Sequence, residues 1–304
     1  MKEKKILWII VFNLIIIGSE IFFGIISNSF ALIADALHNV GDVIAIIITY
    51  IAIKVSTQKA SFKYTFGFLK AEMMAAFINT LFLTLTMLYM IYEAVERFAN
   101  PQEIEPVYMI IVGFIAVLAN GLSAYLLNSM NIPHDHDHSH NHHHEDANIK
   151  SAYLHMLSDA LISVGVVVAG IFIYFFKIYY IDSLMTILFS LYIINHSYPL
   201  LKSSFLSLLD VNTIDISQEK LDEVIKYSDE VLEYHDLHIY KPSSKLNFIS
   251  FHIVLDSNLT LQMCENITEK IKSNLEDLGF NHIIIQVDTE KYLNHQMLCQ
   301  LHSN

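Results

Sequence analysis

The stretch "ALIADALHNVGDVIAI", residues 31–46, is apolar except around Asp35, His38, Asn39 and Asp42. A second stretch, "AYLHMLSDALISVGVVVAG" at 152–170, repeats the spacing: His155 precedes Asp159 by four residues, as His38 precedes Asp42. Both runs extend far enough to cross the roughly 30 Å hydrocarbon core of a bilayer, which takes about 20 residues of helix. A charge at that depth costs about 2.5–3.5 kcal/mol on insertion scales, so such groups pair, face water or hold an ion.

Working outward, apolar segments recur at about 6–27, 30–53, 72–98, 106–130, 149–176 and 179–200, and none follows. The chain has 304 residues, 54% of them hydrophobic, with a mean hydropathy of +0.43. That composition is too apolar for a soluble domain and predicts six membrane helices followed by a soluble tail. The opening "MKEKKILWIIVFNLIIIGS" resembles a signal peptide, but its apolar run continues without a small-residue cleavage site, so it is read as the first span. Lys2, Lys4, Lys5, Lys54, Lys59, Lys63, Lys70, Lys150 and Lys202 fall on one face. Glu103, Glu105, Arg97, Lys177 and Asp182 fall on the other. The lysine bias predicts that both termini are cytoplasmic. A net charge of −13 without a basic patch excludes nucleic acid as a partner. Cys264 and Cys299, both in the tail and without CxxC spacing, fit a reducing compartment.

Within the tail, "ISQEKLDEVIKYSD" has helical spacing, "VLEYHDLHIYKP" and "LNFISFHIVLD" alternate as strands, "TLQMCENITEKIKSNLEDLG" is a helix stopped by Gly279, and "HIIIQVDTE" closes as a strand. The order αββαβ predicts an α+β, ferredoxin-like domain with a split βαβ crossover. The expected boundary divides a membrane domain, 1–205, from a domain at 206–304.

Residues four apart share one helix face, so His38 with Asp42 and His155 with Asp159 each point one way. Turned toward each other, they offer two nitrogens and two oxygens, a set that suits tetrahedral zinc. The bland alternative is that the histidines are hydrogen-bonded core residues and the aspartates line a proton-conducting cavity. Asp35 and Glu20 are expected either beyond the ligands, orienting them, or along a water-filled path, with plain interhelical hydrogen bonding equally open. Between spans four and five, "PHDHDHSHNHHHED" holds His134, His136, His138, His140, His142, His143 and His144; the loop, 133–146, is too polar to fold and is read as metal-collecting. An intramembrane metalloprotease would need a Glu base as in HExxH, which does not occur. A non-transporting sensor that works through its tail is the other alternative.

These motifs, with "YTFGFLKAE" at 64–72, "HDLHIY" and "HIIIQVD" in the tail, resemble the cation diffusion facilitators over nearly the whole chain. The resemblance implies a homodimeric, non-enzymatic transporter in the lipid bilayer, expected in a bacterial inner membrane. It implies efflux of Zn2+, and by extension Cd2+, Co2+ or Fe2+, by alternating-access exchange for protons. It maps the transport site onto His38, Asp42, His155 and Asp159. Tail metal maps onto His235, His252 and Asp288, with His238 and His282 nearby, where zinc is also a regulatory ligand. Gln286 stands where some relatives supply another ligand, so one tail site is expected rather than two. Phe68, Leu69 and Lys70 replace the histidines that some relatives carry before span three, so no loop-level site is expected there.

Overall fold

In the computed structural model, which describes residues 2–56, 60–130 and 143–298, six long helices come first among the described residues. They are α1 (Lys2–Ser27), α2 (Phe30–Ser56), α3 (Ala71–Ala99), α4 (Pro106–Met130), α5 (His143–Phe176) and α6 (Tyr180–Leu208). Over described residues, α3, α6, Pro106–Tyr125 of α4 and Tyr153–Phe176 of α5 are each long and apolar enough to cross a membrane; α1 adds the shorter apolar stretch Leu14–Ser27. Two ends differ from expectation. Helix α5 starts at His143, inside the histidine-rich segment, and α6 continues past Pro199 to Leu208. Proline is tolerated inside membrane helices because neighbouring groups re-satisfy the backbone it disrupts.

The chain divides into two compact units, one of residues up to Ile46 with Asn79–Tyr198, the other of Ile47–Ile78 with Pro199 onward. In the first, helix ends are fixed by local chemistry. Asn28 takes the left-handed conformation (φ 57°) that turns α1 into α2, which asparagine tolerates better than most residues. Ser29 caps α2, its Oγ accepting from the Leu32 N–H at 3.2 Å. The Asp182 carboxylate of α6 reaches the same helix end, accepting from Ser29 Oγ at 2.5 Å and from the N–H groups of Phe30 and Ala31 at 2.8 and 3.2 Å. Arg97, near the end of α3, donates to the Asn28 carbonyl and to its side-chain oxygen, both at 2.6 Å. Helices α4 and α5 pack through glycines: a Cβ on Gly113 would lie 2.9 Å from Val167 Cγ2, and one on Gly170 2.9 Å from Ile110 Cγ1. Around this contact Leu32, Met109, Val112, Ile162, Val166 and Ile173 form a core, while Phe114, Leu118, Phe172 and Phe175 point outward. That inversion of the soluble rule suits lipid as solvent.

In the second unit, α7 (Gln218–Ile225), β1 (Val231–Ser243), β2 (Leu246–Leu255), α8 (Leu261–Asp277) and β3 (His282–Thr289) follow in the expected αββαβ order. Ser217 and Thr260 cap the two helices, and Gly279, at φ +90°, ends the second with a turn that suits glycine. Strand β2 pairs antiparallel with β1 and parallel with β3. The crossover therefore joins neighbouring strands, correcting the expected split: β2 is the central strand and its two sides are taken by β1 and β3. Ile225, Phe251, Ile253, Ile271, Leu275 and Phe280 fill the core between sheet and helices. In the same unit Lys70 pairs with Asp210 at 2.6 Å, and Ser244 Oγ donates to Glu72 Oε1 at 2.6 Å.

Candidate metal centres

Helices α2 and α5 bring their two His-Asp pairs together. His38 Nε2 lies 3.7 Å from Asp42 Oδ2 and 3.6 Å from Asp159 Oδ1. His155 Nε2 lies 3.1 Å from Asp42 Oδ2 and 3.7 Å from Asp159 Oδ2. Each imidazole thus faces both carboxylates, and imidazole and carboxylate alternate around a closed ring. A tetrahedral zinc with bonds of about 2.0–2.1 Å holds its ligand atoms about 3.3–3.4 Å apart. The four approaches are near that length, but they use two oxygens of Asp159, Oδ1 toward His38 and Oδ2 toward His155, so they are not the edges of one closed set of four ligand atoms.

Exposure within the ring is uneven. The side chains of His38 and Asp159 are 8% and 2% exposed, those of Asp42 and His155 30% and 32%. Asp42 is one turn nearer the C-terminal end of α2, and His155 one turn nearer the N-terminal end of α5. The more exposed members of the ring are thus the ones nearest those two helix ends.

Beside the ring, Asp35 and Glu20 are fully buried. Ser163 Oγ lies 3.1 Å from Asp35 Oδ2 and 3.0 Å from the Asp159 carbonyl oxygen, while Asn39 donates to Glu20 Oε2 at 3.1 Å. Among the described residues His38 Nδ1, Asp35 Oδ1 and Glu20 Oε1 have no hydrogen-bond partner. Neither carboxylate orients a ring nitrogen here, and their observed partners are α5 and α2 polar groups.

A second cluster lies on the sheet. The pairing of β1 with β2 sets His235 opposite His252, and the parallel pairing of β2 with β3 puts Asp288 beside them. Asp288 Oδ2 is 2.8 Å from His252 Nδ1 and 3.3 Å from His235 Nε2, and Gln286 donates to Asp288 Oδ1 at 3.1 Å. One ligand atom from each of His235, His252 and Asp288 lies within 4.8 Å of the others. Burial, with the neighbouring His252, lowers the His235 imidazole below its ordinary value. Burial raises the Asp288 carboxyl, but hydrogen bonds from Gln286 and His252 and the two nearby imidazoles outweigh it and hold the group low. Neutral imidazole and ionised carboxylate are the forms that bind metal.

His238 and His282 stand apart from this cluster. A register shift in β1 separates His235 from His238, whose Nε2 lies 3.4 Å from Asp236 Oδ1. His282 pairs with Phe248, four residues along β3 from Gln286, which is about 13 Å of strand. Sequence reading missed His295, whose ring centroid is 5.2 Å from that of His235, in a cavity of about 220 Å³ shared with His252 and Asp288. Its only signal was a histidine shortly after the last strand. His134, His136, His138, His140 and His142 lie outside the described residues; His143 and His144 begin α5.

Family models match both parts of the chain: the cation efflux transmembrane domain over residues 6–209, and the cation efflux protein cytoplasmic domain over 215–290. A cadmium, cobalt and zinc/H(+)-K(+) antiporter of Bacillus subtilis is 36% identical over 279 residues, covering 91% of this chain and 86% of the relative. The metal cation efflux system protein CzcD of Cupriavidus metallidurans is 31% identical, covering 89% and 81%. The zinc transporter ZitB of Escherichia coli is 30% identical, covering 74% and 69%. On this evidence the chain belongs to the cation efflux family, the cation diffusion facilitators, and is an integral membrane transporter rather than an enzyme.

Proposed function

We propose that this chain exports divalent metal, zinc foremost, from the cytoplasm by alternating-access exchange for protons, with His38, Asp42, His155 and Asp159 holding the ion in transit. The observation that carries the reading is that two imidazoles and two carboxylates from α2 and α5 converge, with His–Asp approaches of 3.1–3.7 Å, a ligand set and number that suit a zinc-class ion. The names of the relatives, which act on cadmium, cobalt or zinc, support the cargo class. The lysine bias supports cytoplasmic termini, and with that orientation the more exposed Asp42 and His155 are the members of the ring toward the cytoplasmic side. A ligating imidazole must be neutral and a ligating carboxylate ionised. Metal entering from the cytoplasm therefore expels protons, and protons arriving from the other side displace metal.

The membrane domain extends to about residue 205, and the domain at 206–304 dimerises and binds regulatory metal through His235, His252 and Asp288. Asp35 and Glu20 line the proton path, and the histidine-rich segment between α4 and α5 collects metal. The location is a bacterial inner membrane. The test is zinc-driven proton movement in proteoliposomes, run under a proton gradient and separately under a potassium gradient. Asp159→Ala, dimeric by size, abolishes movement; normal flux in that variant would remove the ring as the transport site. Flux driven by potassium alone would overturn the proton exchange.

A further inference from the structure

We propose that His295 is the fourth ligand of the cytoplasmic domain's metal centre, so that a zinc-class ion on His235, His252 and Asp288 fastens the segment after β3 onto β1. This rests on the reading of those three residues as metal ligands. Three protein ligands leave one position of a tetrahedral centre open. The segment's own contacts bring His295 to the edge of the cluster; it is not in the group whose ligand atoms lie within 4.8 Å of one another, so binding the ion would draw its ring in. Asn294 N–H donates to Glu233 Oε2 at 2.7 Å, and Leu237 N–H donates to the Met297 carbonyl at 2.9 Å. Leu298 then pairs with Leu237 as a short parallel bridge. Residues 294–297 thus run alongside residues 233–237, which brings His295 against His235.

The two rings lie 5.2 Å apart at 52°, close to the 5.1 Å and 56° that relate His235 to His252. His235 is 4% exposed, and among the described residues its Nδ1 has no hydrogen-bond partner. The family match ends at residue 290, so His295 belongs to a part of the chain that the shared domain does not cover. Among the described residues this stretch is held by backbone bonds from Leu293 N–H to the Glu290 carbonyl and from Leu237 N–H to the Met297 carbonyl, and an added metal bond is large beside them.

The test is hydrogen exchange by mass spectrometry on the full-length protein in lipid nanodiscs, titrated with zinc. In the wild type, zinc slows exchange over 290–298 together with the strands bearing His252 and Asp288. His295→Ala loses the effect over 290–298 and needs on the order of 10- to 100-fold more zinc to protect the strands, the scale of damage typical of altered metal surroundings. His295→Cys, which keeps a zinc ligand, restores both. Protection of 290–298 in His295→Ala at wild-type zinc would overturn the proposal and leave a three-ligand centre. If zinc protects the strands equally in wild type and in His235→Ala/His252→Ala, the underlying centre fails and the proposal falls with it.

Discussion

Asp182 is a single residue whose role the sequence hid. In the linear chain it reads as one charge at the start of the last span, yet its carboxylate accepts three hydrogen bonds at the start of α2, more than 150 residues away. Replacing it with alanine leaves the buried N–H of Ala31 and the part-buried N–H of Phe30 without this acceptor, at a cost of about 1–3 kcal/mol. Asp182→Ala therefore lowers the thermal midpoint of the purified protein in detergent, while Asp182→Asn, which keeps one acceptor oxygen, loses less. At the ring proposed to carry the ion, the same scale gives a selectivity prediction. His38→Asp keeps a ligand but makes the site oxygen-rich, which suits ions that prefer more oxygens. Zinc flux against rising cadmium or manganese shows weaker discrimination in His38→Asp, and no flux in His38→Ala. Equal selectivity in mutant and wild type would mean that His38 does not touch the ion.

Among elements, the contact between α4 and α5 depends on side chains that are absent. Gly170→Leu drives a branched group into Ile110 and Met109, whereas Gly121 has nothing within 4 Å of where its Cβ would stand. Overpacking costs about 1–3 kcal/mol, and replacing an unhindered helix glycine with alanine gains about 1 kcal/mol. Gly170→Leu accordingly lowers the thermal midpoint and Gly121→Ala does not; the reverse order would mean that the helices separate freely. Periodicity made the helices and the αββαβ order legible, since apolar runs and alternation are written locally. It did not give the central place of β2, which depends on which edge β3 chooses. His38, Asp42, His155 and Asp159 were readable because repeated spacing in an apolar run is costly. His295 was not, because its neighbour is set by a two-sided pairing with β1 that no local pattern announces.

For the whole molecule, deleting residues 134–144 removes no member of the proposed transport ring. The deletion raises the zinc concentration for half-maximal flux in proteoliposomes and leaves the maximal rate standing; complete loss in a folded dimer would make the loop part of the pathway. The anchoring of α2 bears on the alternating access proposed above. Ser29 is held by Asp182 at one end of the helix, and His38 and Asp42 lie nine and thirteen residues along it. At 1.5 Å per residue these are lever arms of about 13 and 20 Å, so a tilt of about 10° about that pivot carries the two ligands about 2.4 and 3.4 Å. A metal–ligand bond is only about 2 Å long. A rigid swing of one helix, with no hydrogen bond of its backbone broken, is enough to take the ion's grip from firm to none.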